Sequence, residues 1–278
     1  MGVYEKALPP SRDWHARLAG VRAARFDHVE IALDEGEERR RRADPGDAGM
    51  LALGRAVAAE GVPVHAIVLS ALRTAALGAP DARTRARGRD WLERAVGLAV
   101  RLGARIVQVP GYYSFETPAG PEGARRFEEG LAHGAEIAAG CGVMLGLENM
   151  DGEDVTSLRC ALRHVEAIGS PFLGLYPDVG NLAANGHDVS DELRAGRGRI
   201  VGVHLKDARP GAFRRVPFGE GVTEFARAFR ALAAIGYGGP YTVEMWNEEE
   251  PDPLATLREA RRFLRQEMAR GCAAEAGS

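Results

Sequence analysis

Cysteine is scarce. Cys141, Cys160 and Cys272 are an odd, scattered set with no CxxC or zinc-finger spacing. A disulfide-built scaffold and a thiolate metal site are therefore not indicated; inert packing cysteines in a reducing cytoplasm are expected. Long apolar runs are missing too. Nothing approaches the roughly 18 residues of a membrane span, and the opening MGVYEKALPPSRDW lacks the apolar core of a signal peptide. Neither sign of charge is in excess. The net charge is -3, and no Lys/Arg stripe is interleaved with aromatics, so neither nucleic acid nor a membrane surface is expected as a partner. No Pro/Gly/Ser-rich linker divides the chain. No phosphate-cradling glycine fingerprint follows the first strand either, where PPSRDW stands instead, and this counts against a doubly wound nucleotide fold.

What is present is alternation. Short β-branched runs are predicted as strands at 2–8, 28–34, 62–70, 105–113, 142–149, 172–181, 200–207 and 240–246. Between them lie segments of helical period. In DARTRARGRDWLERAVGLAVRLG, Trp91, Ala95, Leu98, Ala99 and Leu102 form one core-facing stripe. Gly61, Gly103, Gly140/Gly142, Gly169 and Gly236 mark helix ends. Eight βα units in a chain of 278 residues predict a single-domain (β/α)8 TIM barrel over residues 1–270. The tail 271–278 is expected to fray. The charge run DEGEERRRRADPGD (34–47) is expected to be a solvated loop and helix start.

Glu244 stands out. It lies in YTVEMW, a run that otherwise reads as buried strand, where an unpartnered carboxylate is costly. The three glutamates that follow, Glu248 to Glu250, read as a solvated polar run. In a TIM barrel, function collects at the C-terminal strand ends. The last four strands end in GLEN, LYPD, VHLKD and TVEMW, delivering Glu148, Asp178, His204 and Glu244. Alone, each acid reads as a cap or ion-pair partner, and His204 as a core histidine. Four on consecutive strand ends can converge on one side of the mouth. Three carboxylates and an imidazole suit a divalent metal with open positions, and the metal supplies the charge that each buried acid needs. Oxygen-rich ligation favours Mn²⁺ or Mg²⁺, with Zn²⁺ or Co²⁺ also able to bind.

The segments YPDVGNL and HLKD…VPFGEG, with the opening GVYEKALP, VEIALDE and the closing VEMW, resemble the xylose-isomerase-like TIM barrels. Within these, the resemblance is to the L-ribulose-5-phosphate 3-epimerases, often labelled hexulose-6-phosphate isomerases, and it runs over residues 2 to 268. It implies Glu148, Asp178, His204 and Glu244 as metal ligands, with Glu148 and Glu244 doubling as the acid/base pair that moves a proton at the carbon beside a ketose carbonyl. It also implies a small ketose phosphate as substrate and a homodimer. Lys6, Ser70, Lys206, Arg209 and Arg215 are the expected substrate or phosphate contacts, with Arg214 beside them. Glu5 is expected to face the same mouth, and Asp207 and Glu220 to support the site from behind. Two loops depart from the family pattern, ALRTAALGAP after Ser70 and NMDGEDVTSL after strand five, so the sugar and its phosphorylation stay open.

Competing readings keep the metal chemistry and change the substrate to a free ketose, or change the reaction to aldose–ketose isomerisation or dehydration. A DNA-repair endonuclease on this fold needs more histidines at strand ends than His204 alone, with His15, His28, His65, His133, His164 and His187 as the other candidates. A catalytically dead barrel would not need the four-ligand set.

Overall fold

A computed structural model describes residues 1–11, 13–44, 46–115, 118–247 and 250–273. Eight parallel strands run in the order β6-β5-β4-β3-β2-β1-β8-β7. They are β1 (Gly2–Tyr4), β2 (Val29–Ala32), β3 (Val64–Val68), β4 (Ile106–Pro110), β5 (Met144–Glu148), β6 (Leu173–Leu175), β7 (Val203–Leu205) and β8 (Tyr241–Val243). Single bridges, Leu175 to Ile200 and Asp178 to His204, tie β6 to β7 and close the barrel.

Helices fill the crossovers: α1 (Trp14–Ala23), α2 (Glu37–Arg41), α3 (Ala48–Glu60), α4 (Ala82–Leu102), α5 (Gly123–Cys141), α6 (Leu158–Ile168), α7 (Val179–Ala184), α8 (Val189–Ala195), α9 (Phe225–Ala234) and α10 (Pro253–Ala273). The helical stripe in α4 buries Trp91, Ala95, Leu98 and Ala99, with Leu102 partly buried. Asp81 starts that helix by accepting from Thr84 N at 2.7 Å. Gly61, Gly103, Gly142 and Gly169 end their helices in left-handed geometry. Gly140 lies inside α5. No helix among the described residues is long and apolar enough to cross a membrane.

The strand period of two divides the core. Val29, Ile31, Ile67, Val107, Leu145 and Leu205, with their counterparts on other strands, pack outward against the helices in one large apolar cluster. The inward positions are different. They hold two small clusters, Tyr4/Ala32/Val68 and Ala66/Ile106/Tyr176, and a set of buried polar side chains: Glu30, Gln108, Glu148, His204, Lys206, Thr242 and Glu244. Gly202 makes room for this interior. A Cβ there would lie 2.3 Å from the Tyr176 ring, which fills the barrel axis beside His204.

Several boundaries differ from expectation. Residues 5–7 form a 3₁₀ turn rather than the end of strand one. This turn takes Glu5 away from the mouth, into a buried cluster with Arg17 at 3.2 Å and with Arg42. The basic run is accordingly not all solvated: Arg42 is buried, donating also to Ala32 O at 3.0 Å. Pro45 in that run lies outside the described residues. Helix α10 continues through Ala273, into the stretch expected to fray, and 274–278 lie outside the described residues. Glu250 is exposed, while Glu248 and Glu249 fall outside the description.

Candidate active site

The four strand-end residues meet. Glu148 is the last residue of β5, and His204 is central in β7. Glu244 follows β8, and Asp178 lies beyond β6, where it caps α7 by accepting from Asn181 N at 2.8 Å. One ligand atom from each lies within 4.8 Å of the others, and all four side chains are buried. His204 Nδ1 is 2.7 Å from Glu148 Oε1 and 3.7 Å from Glu244 Oε2. Lys206 Nζ lies 2.8 Å from Asp178 Oδ2 and 3.3 Å from Glu244 Oε2. Asp178 Oδ2 and Glu244 Oε2 are cut off from water and have the Lys206 ammonium as their shared cation. Three buried carboxylates with one ammonium between two of them, beside an imidazole nitrogen, fit a divalent cation with oxygen-rich ligation.

The electrostatics separate the two glutamates. Burial pushes the Glu148 carboxyl up from its ordinary value. Burial acts on Glu244 in the same sense, but the Lys206 ammonium and the His204 ring outweigh it and bring Glu244 down to about 2. Asp178 is pushed up to about 8 by burial, against the pull of Lys206. Unlike environments for two carboxylates at one site are what an acid/base pair requires.

Behind the quartet lies a residue that the strand-end argument missed. Glu30 in β2 is completely buried, and its Oε2 sits 2.9 Å from His204 Nε2. Its other oxygen accepts from Thr242 Oγ1 at 2.5 Å and from the Tyr176 hydroxyl. The pair fixes the ring: Nε2–H is donated to Glu30, and Nδ1 is presented to the site. Gln108 was missed as well; its amide donates to Glu148 Oε2. The signal for Glu30 was available, because HVEIALD places an acid in an apolar strand just as TVEMW does.

Above the quartet opens a narrow cleft. Of the expected substrate contacts, Lys6, Ser70, Lys206 and Arg214 line it. Lys6 is engaged by Asp34 at 2.9 Å. Arg209 and Glu220 are not among the residues that line the cleft. They pair with each other at 3.2 Å on the exposed surface, away from the cleft. Arg215 lines an adjoining cavity of about 120 Å³, on the side of Met245 and Asn247. Asp207 supports neither a ligand nor a basic side chain; its carboxylate accepts backbone N–H bonds from Ala208, Gly219, Gly221 and Thr223 at 2.8–3.3 Å. Leu72, Ala75 and Ala76, where the loop departs from the family pattern, turn into the core. Arg73, between them, turns into the cleft.

The other histidines lie elsewhere. His28 and His65 lie with ring centres 4.7 Å apart and tilted, at the opposite end of the barrel. His15, His133 and His164 are on α1, α5 and α6, and His187 follows α7. Among the described residues, His204 is the one histidine in a group that can hold a metal.

A parallel eight-stranded barrel with a buried carboxylate–imidazole group at its C-terminal mouth is a (β/α)8 protein whose strand-end residues can hold a divalent metal beneath a cleft. The chain belongs to the xylose isomerase-like TIM barrel family, whose pattern it matches over residues 18–267. It is 42% identical over 276 residues to the L-ribulose-5-phosphate 3-epimerase UlaE of Escherichia coli O139:H28, covering 99% of this chain and 97% of the relative. The same identity and coverage hold for the protein of that name from Shigella sonnei. Among solved structures, an L-ribulose 3-epimerase superposes with a TM-score of 0.84 at 25% identity, covering 100% of this chain and 97% of the other. A D-psicose 3-epimerase from Clostridium cellulolyticum shares the fold with a TM-score of 0.81 at 16% identity, covering 96% and 98%.

Proposed function

We propose that this protein is a metal-dependent ketose-phosphate 3-epimerase that interconverts L-ribulose 5-phosphate and L-xylulose 5-phosphate. The observation that carries the reading is the placement of Glu148 and Glu244 at 2.7 and 3.7 Å from His204 Nδ1, both lining one cleft. The similarity to named L-ribulose-5-phosphate 3-epimerases supplies the substrate.

Glu148, Asp178, His204 and Glu244 would hold the cation, and Mn²⁺ or Mg²⁺ suits their oxygen-rich set better than Zn²⁺ or Co²⁺. Bound there, a divalent ion supplies positive charge to the ketose carbonyl and its neighbouring hydroxyl, lowering the cost of negative charge on their oxygens. The chain's own groups do the rest. One glutamate removes the C3 proton, the other returns a proton to the opposite face, and the reverse reaction exchanges their roles. Lys206 holds Asp178 and Glu244 in place through its ammonium. Gln108 anchors the Glu148 oxygen that His204 does not face. Cytoplasmic location, supported by three unpaired cysteines, and a homodimer, to be read by sedimentation, belong to the same proposal.

The test is solvent-deuterium incorporation at C3 of L-ribulose 5-phosphate by the manganese-loaded enzyme. Wild type should incorporate one deuteron per epimerisation. Glu244→Gln should lower kcat by about 10²–10⁴-fold with an unchanged far-UV spectrum. Normal turnover by that variant would remove Glu244 from the chemistry.

A further inference from the structure

The polar interior does not stop at Glu30. In HVEIALD and YTVEMW, His28 and Thr242 stand two residues before Glu30 and Glu244, so the strand period turns them to the same inward side as those acids. Thr242 is completely buried in β8, and its hydroxyl is held from two directions. Glu30 Oε1 lies 2.5 Å from it, and His28 Nε2 lies 3.1 Å from it. His28 itself is buried just before β2, at the end of the barrel away from the mouth. Contacts therefore run unbroken from His28 through Thr242 and Glu30 to His204 Nε2 at 2.9 Å.

A hydroxyl has one proton to give, and a carboxylate only accepts. With a proton on His28 Nε2, the ring donates to Thr242 Oγ1, and the threonine proton goes to Glu30. With Nε2 bare, the imidazole competes for that same proton, and Glu30 keeps only the Tyr176 hydroxyl on this oxygen. The His28 tautomer thus decides how firmly Glu30 is held. The ring has little freedom to turn. A Cβ on Gly2 would lie 2.0 Å from its Nε2 and Cδ2, and the His65 ring is tilted against it at 4.7 Å. Burial brings His28 down to about 4, so the ring is neutral near pH 7 and its tautomer, not its charge, is the variable.

We propose that His28 is a positioning residue for the metal centre: from the far end of the barrel, its Nε2–H commits the Thr242 proton to Glu30, which in turn fixes the His204 ring. This rests on the reading of His204 as a metal ligand and is independent of the sugar. It adds to the site two residues, His28 and Thr242, that do not line the cleft.

The first measurement is the tautomer. Two-bond proton–nitrogen spectra of the metal-free, ¹⁵N-histidine-labelled protein at pH 7.5 should show His28 with its proton on Nε2; a proton on Nδ1 overturns the proposal. The second is Mn²⁺ affinity, by competition with a chelating dye. Thr242→Val and His28→Leu should each weaken binding about 10-fold, the low end for outer partners of a metal ligand. His28→Gln returns an N–H donor to the position of Nε2 and should bind within about 2-fold of wild type. In a Glu30→Gln background, Thr242→Val and His28→Leu should add less than about 2-fold, because the chain of contacts is already cut. Unchanged affinity in both single variants, or their full effect in the Glu30→Gln background, overturns the proposal. Thr242→Val matches the native shape, so the test does not depend on how His28→Leu folds. A wild type that binds no Mn²⁺ would overturn the metal reading, while the His28 tautomer would still decide whether Thr242 donates to Glu30.

Discussion

An acid inside a barrel must meet a counter-charge or lose its own charge, and Glu30 and Glu244 meet theirs from opposite sides of one imidazole. Glu30 is held at about 2, against burial, by His204 and by the hydroxyls of Thr242 and Tyr176. Its negative charge keeps a proton on Nε2. Glu30→Gln removes that charge while nearly keeping the shape, so the ring is free to present the wrong tautomer to the site. Manganese affinity, measured by competition with a chelating dye, should fall about 10–100-fold, with the melting temperature in excess metal close to wild type. Wild-type affinity in the variant would reduce Glu30 to packing. The same residues show how far the sequence could be read. Glu148, Asp178, His204 and Glu244 were legible because each ends a strand in a recognisable segment. Glu30 left a trace as an acid in an apolar strand, but its partner, like that of Gln108, depends on which inward side chains meet across the barrel, and that needs the register.

At the scale of elements, the segment between β7 and α9 has no regular structure of its own and is shaped by one side chain. Asp207 gathers the N–H groups of Ala208, Gly219, Gly221 and Thr223, pinning both ends of the loop that carries Arg214. Gly221 is the counterpart: a Cβ there would lie 2.0 Å from Asp207 Oδ1. Asp207→Ala leaves these donors without their acceptor and should cost about 2 kcal/mol. Hydrogen exchange should quicken across 208–223, and KM for the phosphorylated ketose should rise more than kcat falls. Exchange confined to wild-type rates would refute the pinning. The sequence marked VPFGEG as distinctive and assigned Glu220 to the site. The structure gives the segment's value to its two glycines, and leaves Glu220 at the surface with Arg209. Helices and strands were legible from period and glycine caps, whereas the loop's form depends on a carboxylate twelve and fourteen residues before the amides it binds.

For the whole molecule, the barrel is joined to its helical layer by charge as well as by apolar packing, and the join is at Glu5. One completely buried carboxylate accepts from Ala32 N at 2.5 Å and pairs with Arg17 of α1 and with Arg42 just after α2. Both guanidiniums also lie against the Trp14 ring, at 4.4 and 5.3 Å. Burial alone would raise the Glu5 carboxyl, but Arg42 and Arg17 overcome it and bring it from 4.5 down to about 2. A carboxyl whose folded value is below its unfolded one stabilises the fold fully above the unfolded value, and that contribution disappears as pH falls through the folded value. The window here runs from about 4.5 down to about 2, and the contribution is on the order of 3 kcal/mol. Glu5→Gln should be less stable than wild type at pH 7, since it leaves two buried guanidiniums without their anion. The gap between the two proteins should narrow as the pH is lowered from 4.5 toward 2, because wild type loses in acid what the variant has already lost. Urea midpoints at pH 7, 4.5 and 3 measure this directly. Parallel losses in the two proteins would place the acid sensitivity elsewhere, in the carboxylates of the mouth.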